Sequence, residues 1–460
     1  MTSKQLAALG FAEGKTFGVA LKVARDAEKT KPTEQVEQEL ADVLVDPDAY
    51  TDDAAYGELA VLLMEPAPIE ARAEPVPYAQ WGRDLDDNAV KQMDVARRLP
   101  VAVSSALMPD AHLGYGLPIG GVLATDNAVI PYAVGVDIAC RMRLTVFDVP
   151  ADQLDGMRGK LTNALQRETR FGMGAKYNTP NDHAVMDADW DVSPVTKRFK
   201  DKARSQLGSS GSGNHFVEFG ELTLDEPDLG MQPGKYLALL SHSGSRGTGA
   251  SVCDHYSKLA MKQCATLPKE MRHLAWLDLD SDTGREYWDA MNLMGDYAAA
   301  NHEVIHRLIA KAINEKLVAE VENHHNFAWK EEHDGREVIV HRKGATPAGQ
   351  GVLGIIPGSM AAPGFVVRGR GNAQSLRSAS HGAGRVMSRK QAANTFRWNH
   401  VKADLEAAGV TLLSAGIDEN PRVYKDIHTV MAQQTDLVDI VARFDPKIVK
   451  MADAGEKPED

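Results

Sequence analysis

The stretch Ser241-His242-Ser243-Gly244-Ser245-Arg246-Gly247 surrounds an imidazole with glycine and serine, where a packed hydrophobic core would not place it. Three other segments share this character: Gly213-Asn214-His215-Phe216, Asn323-His324-His325-Asn326 and Ser380-His381-Gly382-Ala383-Gly384-Arg385. Val136-Asp137-Ile138-Ala139-Cys140 adds a carboxylate and a thiol. Imidazole, thiolate and carboxylate together suit a first-row divalent metal such as Mn, Fe, Co or Zn. The five segments therefore predict a metal site assembled from distant parts of the chain.

The composition is typical of a water-soluble globular protein. The 460 residues are 43% hydrophobic and 25% charged, and they suffice for one large domain or two or three ordinary ones. The sequence contains no apolar run near the ~18 residues of a membrane span and no apolar stretch of a signal peptide at its start. Its three cysteines are too few for a disulfide framework. We therefore expect a cytoplasmic protein that does not contact a membrane.

The distribution of charge points to a polyanionic partner. A net charge of −13 argues at first against nucleic acid, because phosphate binding needs Lys and Arg. However, residues 338–403 contain no Asp or Glu and ten Lys or Arg. Such a basic region on an acidic protein is suited to nucleotides or RNA. The alternative is that these cations form a solvated face or bind backbone carbonyls.

The spacing of apolar and turn-forming residues divides the chain into two parts. Residues 1–75 contain short amphipathic helices, with helical apolar spacing at 6–9, 19–24 and 36–45, and then a proline-rich linker over 65–77. From about residue 79 the pattern changes to short strands between glycine-rich turns, with longer helices near 286–320 and 387–408. We predict an α+β (mixed α/β) fold with a helical N-terminal extension over 1–75 and one large catalytic domain over 76–460.

Seven segments in chain order carry a family resemblance. They are Met108-Pro109-Asp110-Ala111-His112-Leu113-Gly114-Tyr115-Gly116, Val134-Gly135-Val136-Asp137-Ile138-Ala139-Cys140, Gly211-Ser212-Gly213-Asn214-His215-Phe216-Val217-Glu218, Ser241-His242-Ser243-Gly244-Ser245-Arg246-Gly247, His325-Asn326, Ile356-Pro357-Gly358-Ser359-Met360 and Ser380-His381-Gly382-Ala383-Gly384-Arg385. This series resembles the RtcB family of RNA ligases from about residue 69 to residue 450. One such segment alone would be a weak signal, whereas seven collinear segments are specific.

The resemblance implies a GTP- and manganese-dependent ligase that joins an RNA 3′-phosphate or 2′,3′-cyclic phosphate to a 5′-hydroxyl, in RNA splicing or repair. His381 is similar to the family's nucleophile, which forms a histidine–GMP phosphoramidate, and the GMP then activates the RNA 3′-phosphate. The chemistry of histidine agrees, because neutral imidazole is nucleophilic near pH 7. Asp110 is expected to act in the later transfer steps, and Arg246 and Arg385 to bind phosphate, since guanidinium fits phosphate with two hydrogen bonds.

The resemblance also implies the ligands of two Mn²⁺ ions. They are Asp137, Cys140, His215, His242 and His325, with the thiolate of Cys140 bridging. Of the adjacent pair His324 and His325, the family pattern selects His325, which directly precedes an asparagine. A pair of cations ~3.5–4 Å apart suits phosphoryl transfer because charge builds on both the attacking and the leaving oxygens.

The expected contacts to guanylate come from several segments. They are Asn214, Phe216, Glu218, Ser359, Gly382, Ala383, Gly384, Arg385, Tyr424 and Lys450. The carboxylate of Glu218 would accept from guanine N1–H and the exocyclic amine, a pair of donors that adenine does not offer at those positions. The family commonly ends in Lys-Gly, whereas further residues follow Lys450 here.

One departure from the family lies at the metal site, where Arg141 follows Cys140 in place of the usual glycine. Its side chain would either reshape the metal pocket or point away along a strand. Two other functions would use some of the same residues. One is a metal-dependent phosphoesterase or cyclic phosphodiesterase, in which His381 is not guanylylated. The other is a protein that binds RNA ends without catalysing a reaction. The sequence leaves open a protein activator and the choice between monomer and homodimer.

Overall fold

A computed structural model describes residues 1–11, 14–64 and 67–456 of the chain. The chain divides into two units, Met1–Ile69 and Glu70–Asp460. Glu65 and Pro66, the start of the predicted linker, lie outside the described residues, as do residues 457–460 of the predicted catalytic domain. The predicted α+β class with a helical N-terminal extension is confirmed by the mixture of helices and strands described below.

The first unit consists of helices packed around their own apolar core. Its α-helices are α1 (Ser3–Ala8), α2 (Lys15–Ala27), α3 (Thr33–Val45) and α4 (Gly57–Met64). In α3, Val36, Leu40 and Val43 recur at helical spacing and are buried, which is the stripe expected of an amphipathic helix. At the start of α1, Thr2 and Gln5 cap each other's backbone N–H groups.

The second unit carries the remaining elements. Its α-helices are α5 (Asp87–Ala96), α6 (Pro131–Val134), α7 (Leu154–Glu168), α8 (Pro194–Gln206), α9 (Arg246–Gln263), α10 (Asp282–Ile313), α11 (Arg389–Thr395), α12 (Trp398–Ala407) and α13 (Ile427–Ala432). Its strands are β1 (Tyr78–Gln80), β2 (Ala102–His112), β3 (Ile119–Thr125), β4 (Ala128–Val129), β5 (Arg141–Pro150), β6 (Phe216–Leu224), β7 (Gly234–Ser243), β8 (Leu277–Asp278), β9 (Leu317–His324), β10 (Asn326–His333), β11 (Arg336–Lys343), β12 (Ala345–Pro347), β13 (Leu353–Ile356), β14 (Gly364–Gly369), β15 (Ser378–Ser380), β16 (Thr411–Ser414) and β17 (Val438–Met451). None of the helices in the described ranges has the length and apolar character that a membrane span requires.

Two large sheets organise this unit. One has the strand order β1-β2-β3-β11-β10, and the other the order β13-β14-β17-β6-β7-β5-β9 with β16 beside β17. Alternate residues of β7 face opposite sides, so Leu237 and Leu239 pack with Ile305 and Ile309 of α10, while Leu240 faces a second core. The larger sheet, which contains β7, is thus buried on both faces, and this packing holds its strands in a fixed register.

Two of the predicted helices differ from the observed ones. The helix expected near 286–320 ends at Ile313, because Asn314 takes the left-handed conformation at φ 50° and terminates it. The helix expected near 387–408 is two helices, α11 and α12, because Phe396 and Arg397 between them are extended. The spacing of apolar residues does not reveal a left-handed residue at the end of a helix or a short extended segment between two helices.

The buried guanidinium of Arg342 on β11 joins the neighbouring edge strand β10 to the start of β15. Arg342 pairs with Glu331 at 2.5 Å, stacks on the ring of Trp329 at 4.7 Å, and donates Nε–H to Ser378 Oγ at 2.7 Å. Removal of the cation would leave the partly buried Glu331 carboxylate with His333 alone as its partner.

We predict that Arg342→Ala lowers the free energy of unfolding by about 3–5 kcal/mol, as expected for breaking a buried ion pair from one side. The matched control is Arg336→Ala on the same strand, because Arg336 forms an exposed ion pair with Asp126. Its loss should cost only about 0–1 kcal/mol. Urea unfolding followed by circular dichroism measures both, and equal losses would contradict the structural role of Arg342.

Candidate active site

The five expected metal ligands meet at one edge of the larger sheet. Phe216 pairs with His242, and Arg141 pairs with both Ser243 and His324. The start of β6, the end of β7, the start of β5 and the end of β9 therefore lie side by side. His215 directly precedes Phe216, Cys140 directly precedes Arg141, and His325 directly follows His324. His242 is the last residue but one of β7.

The ligand atoms form two groups that share a sulfur. Asp137, Cys140 and His215 make one group, and Cys140, His242 and His325 make the other, with the ligand atoms of each within 4.8 Å of one another. Cys140 Sγ lies 3.1 Å from His242 Nε2 and 3.4 Å from His215 Nε2. His242 Nε2 and His325 Nε2 are 3.1 Å apart.

Local backbone geometry lets the Asp137 carboxylate enter this cluster. A Cβ at Gly244 would lie 2.1 Å from Asp137 Oδ2, so a side chain at that position would displace the carboxylate. Ser245 donates its backbone N–H to Asp137 Oδ1 at 3.0 Å, while the buried Oδ2 lies 3.1 Å from His215 Nε2. Ala139 between the two ligands of this loop has φ 56°, a conformation that non-glycine residues rarely adopt.

The protonation of the cluster suits a cation. Burial lowers the pKa of His242 to about 3 and the pKa of His325 well below its usual value, so both rings are neutral near pH 7. His242 Nδ1 donates to the carbonyl of Asn214 at 3.1 Å, which leaves Nε2 with a free lone pair. Burial raises the pKa of Asp137, but the hydrogen bond and charge of His215 outweigh it and hold that pKa below its usual value. Neutral imidazoles, a carboxylate and a thiol in one buried cluster fit a divalent first-row metal.

His381 lies beside this cluster and is held by Asp110. His381 follows β15, and its ring centroid is 5.0 Å from that of His325. Asp110 Oδ2 lies 2.7 Å from His381 Nδ1 and accepts the backbone N–H groups of His381 and Gly382 at 3.1 and 3.2 Å. Burial alone would raise the pKa of Asp110, but the charge and hydrogen bond of His381 lower it below its usual value. The ionised carboxylate therefore keeps the imidazole proton on Nδ1 and the lone pair on Nε2.

A cavity opens next to His381 and contains most of the expected guanylate contacts. Its empty volume of about 1200 Å³ includes the open mouth, and sites for small molecules typically occupy roughly 300–1,000 Å³. The expected residues in its lining are Asn214, Phe216, Glu218, Ser359, Gly382, Ala383, Gly384, Arg385 and Tyr424. Glycine is required at 384, where φ is +75° and a Cβ would lie 2.1 Å from the carbonyl oxygen of Asp110.

The comparison with known proteins agrees with this arrangement. A family model described as tRNA-splicing ligase RtcB matches residues 92–451 of the chain. The chain belongs to the RtcB family. The RNA-splicing ligase RtcB of Escherichia coli (strain K12) is 34% identical, over 83% of this chain and 96% of its own length. The tRNA-splicing ligase RtcB of Thermococcus kodakarensis is 29% identical, over 78% of this chain and 92% of its own length.

Lys450 and Arg246, two residues expected to contact GTP, are not part of the cavity lining in this RtcB chain. Lys450 donates to the carbonyls of Leu165 and Gln166 at 3.1 and 3.4 Å, while its neighbours Val449 and Met451 line the cavity. Alternate residues of β17 face opposite sides, so the lysine is on the wrong side to touch a nucleotide there. Arg246 is buried, and its guanidinium donates to Ser209 Oγ at 3.2 Å and to the carbonyl of Gly172 at 3.3 Å.

The sequence did not indicate that Glu419 is part of the cavity wall. Its buried carboxylate pairs with Arg385 at 3.4 Å, binds Arg389, and accepts the hydroxyl of Tyr424. Arg385, expected to bind phosphate, is thus held by a carboxylate. In the sequence, Asp418-Glu419 is only an acidic pair that comes after the basic stretch. Nothing in the sequence places Glu419 beside the cavity.

Arg141, the departure from the family pattern, points away from the metal ligands. Its guanidinium donates to the carbonyl of Gly295 at 3.1 Å and pairs with Glu322 at 3.3 Å. His324 is also outside the cluster, because its ring packs against Phe327 and Trp329. The metal pocket is therefore not reshaped by either side chain.

The basic stretch 338–403 is largely occupied by internal contacts. Arg368 pairs with Asp228 and Arg370 with Asp439, and Lys343 donates to the carbonyls of Tyr115 and Tyr132. Together with Arg342, Arg385 and Arg389, these cations neutralise carboxylates or bind carbonyls. The alternative reading of the stretch, as carbonyl partners, thus accounts for part of it.

We predict that the cluster binds two Mn²⁺ ions per chain and that His325→Ala binds one, because the substitution removes a ligand from one group and leaves the other intact. The adjacent His324→Ala is the matched control and should keep both ions. Calorimetric titration with Mn²⁺ measures both. An equal loss in the two variants would contradict the assignment of His325.

Proposed function

We propose that this protein is an RNA ligase that joins a 3′-phosphate or 2′,3′-cyclic phosphate end to a 5′-hydroxyl end through a GMP–His381 intermediate. The observation that carries the proposal is the position of His381, between the Asp110 carboxylate, the metal-ligand cluster and the cavity. The names of the relatives, RNA-splicing and tRNA-splicing ligases, support the RNA substrate.

His381 is the nucleophile in this scheme. Its Nε2 attacks the α-phosphorus of GTP, the bond to the β-phosphate oxygen breaks, and pyrophosphate leaves. Asp110 stabilises the positive charge that develops on the ring, because its carboxylate is hydrogen-bonded to Nδ1–H. A carboxylate in this position also fixes the tautomer, so that the nucleophilic nitrogen is the one away from Asp110.

The GMP then passes to the RNA. A 2′,3′-cyclic phosphate end is first opened by water to the 3′-phosphate. An oxygen of the RNA 3′-phosphate attacks the phosphorus of GMP–His381, the bond from that phosphorus to Nε2 breaks, and the imidazole leaves. The 5′-hydroxyl oxygen next attacks the RNA phosphorus and loses its proton to solvent, the bond from that phosphorus to the GMP oxygen breaks, and GMP leaves as the new phosphodiester forms. Asp110 returns the His381 ring to its neutral, Nδ1-protonated form in each cycle.

The metal cluster would hold two divalent cations, and we infer that these are manganese. Asp137 and His215 would serve one ion, His242 and His325 the other, and Cys140 both. When bound, such cations supply positive charge to phosphate oxygens. The chain's own contribution is a buried set of ligands placed beside the nucleophile.

Glu218 is the residue proposed to select guanine. Burial raises the pKa of Glu218 well above its usual value. The carboxyl lies in the lining of the cavity together with Phe216, Ser359 and Tyr424. Guanine N1–H and N2–H would donate to the ionised carboxylate and so replace the water lost on burial, whereas adenine would leave it without donors.

The first test is transfer of label from α-labelled GTP in the presence of Mn²⁺. Wild type should acquire acid-labile, alkali-stable label, and His381→Ala should acquire none. His400→Ala is the control, because His400 is an exposed histidine of α12. Asp110→Asn should form the adduct at least ~100-fold more slowly, the scale typical of losing a group that assists proton transfer.

No label on wild-type protein that has bound manganese would contradict the ligase mechanism. Equal labelling of wild type and His381→Ala would place the adduct on another residue. Hydrolysis of RNA 2′,3′-cyclic phosphate by His381→Ala at the wild-type rate would instead support the phosphodiesterase alternative.

We predict that GTP affinity increases with pH relative to Glu218→Gln. Because burial raises the pKa of Glu218, the empty site holds a neutral carboxyl at low pH, and guanine must displace its proton. The affinity of wild type should therefore rise as the pH increases towards that pKa, and the ratio of wild type to Glu218→Gln should rise with it. A Glu218→Gln variant that keeps the full preference for GTP over ATP would contradict this role.

A further inference from the structure

We propose that RNA approaching the site binds to a basic surface formed by α8 and the loop before it. This surface, the α8 patch, consists of Arg170, Lys176, Tyr177, Arg198, Phe199 and Lys202. The inference rests on the proposed function, since it names where the strand of that same substrate lies. The six residues play no part in the cavity or the metal cluster described above.

The charge of α8 is opposite to that of the chain. Its sequence, Pro194-Val195-Thr196-Lys197-Arg198-Phe199-Lys200-Asp201-Lys202-Ala203-Arg204-Ser205-Gln206, contains five cations and one carboxylate, in a chain of net charge −13. Val195, Thr196, Ala203 and Gln206 are buried, so the cations line the remaining faces of the helix. Such a local excess of positive charge is expected of a surface that binds a polyanion such as RNA.

The cations of the patch are not neutralised by the protein. Lys197 pairs with Asp191 at 2.8 Å. Among the described residues, by contrast, Arg198, Lys202, Arg170 and Lys176 form no ion pair, and all four are exposed. Arg170 donates to the carbonyls of Arg167 and Thr169 at 2.6 and 2.9 Å, but no carboxylate neutralises its charge. Several cations of residues 338–403, by contrast, pair with carboxylates.

Aromatic rings alternate with these cations. Arg198 and Lys202, one helical turn apart, both lie over the ring of Phe199, at 5.3 and 5.5 Å from its centroid. Arg170 lies over the ring of Tyr177 at 5.1 Å. Both rings are half-buried. Unpaired cations with partly exposed rings are the combination that binds single strands, with cations on phosphates and rings against bases.

The patch lies beside the residues that hold the metal ligands. Lys202 Nζ is close enough to the first turn of α9 that a Cβ at Gly247 would be 2.7 Å from it. Two residues earlier, Ser245 donates to the metal ligand Asp137. Tyr177 N–H donates to the carbonyl of Ser205 at 3.1 Å, which attaches the loop to the end of α8. In the proposed arrangement, a strand whose end lies at the metals passes Lys202 and then Arg198 as it leaves the site.

The test is RNA affinity of Arg198→Glu/Lys202→Glu, measured by fluorescence anisotropy with labelled 3′-phosphate RNA of about 12 nucleotides, within the range of single-strand site sizes. We expect at least ~10-fold weaker binding, and a salt dependence shallower by about 1.4 in log–log slope, the value for two phosphate contacts to a single strand. A trinucleotide 3′-phosphate, too short to reach the patch, should bind as it does to wild type.

The matched control is Lys262→Glu/Lys269→Glu. Lys262 is exposed on the same helix as Gly247 but fifteen residues further along, about 22 Å at the rise of an α-helix. This control should bind the long RNA as wild type does. Equal affinity of the α8 variant and wild type for the long RNA, or an equal loss in the control, would overturn the proposal.

Guanylylation of His381 is measured on the same preparations. All variants should form the adduct at the wild-type rate, which shows that the cavity and the metal cluster are intact. Anisotropy does not require the adduct, so a wild type without guanylylation would reject the proposed function, whereas normal guanylylation with unchanged long-RNA affinity would reject the α8 patch alone.

Discussion

The sharing of one sulfur between two groups of ligands is the constraint on which the site depends. Cys140 Sγ contacts the Nε2 atoms of His215 and His242, and the two groups have no other member in common. Asp137 and Cys140 share the loop before β5, and the three histidines lie at the ends of β6, β7 and β9. The sulfur is therefore accessible to the other ligands only while β6, β7, β5 and β9 keep their register. The apolar layers on both faces of the sheet supply that register, and the packing of the core thereby determines the geometry of the chemistry.

The five-stranded sheet and a short two-stranded sheet beside it bring Asp110 and His381, the proposed nucleophile, to the same place. His381 follows a short strand that pairs with β12, the strand directly after β11 of the smaller sheet, and Asp110 lies on β2 of that sheet. His325 is the last residue before β10 and so lies between the two sheets. The site therefore lies where three sheets meet. The largest sheet carries most of the expected metal ligands, the five-stranded sheet carries Asp110, and the two-stranded sheet β12–β15 leads into His381.

Much of this arrangement could be predicted from the sequence, because the ligand residues stand in short glycine- and serine-rich segments that a core would not contain. Lys450 shows where such reasoning stops: a residue's place in a motif does not reveal which face of a strand it occupies. Glu419 was missed since its partners, Arg385 and Arg389, are distant in sequence. The basic stretch 338–403 stood out by its composition, but several of its cations form ion pairs within the protein. The cations Arg198 and Lys202 of the shorter basic helix α8 are exposed and form no ion pair with any residue that the structure describes.

The most direct test of this account is electron paramagnetic resonance of the protein loaded with Mn²⁺. Two ions bridged by the sulfur of Cys140 should give two equivalents per chain and a spin-coupled spectrum. In Cys140→Ala the coupling should disappear, because the two groups then have no common ligand. A single ion per wild-type chain, or two ions with independent spectra, would contradict the shared-sulfur centre.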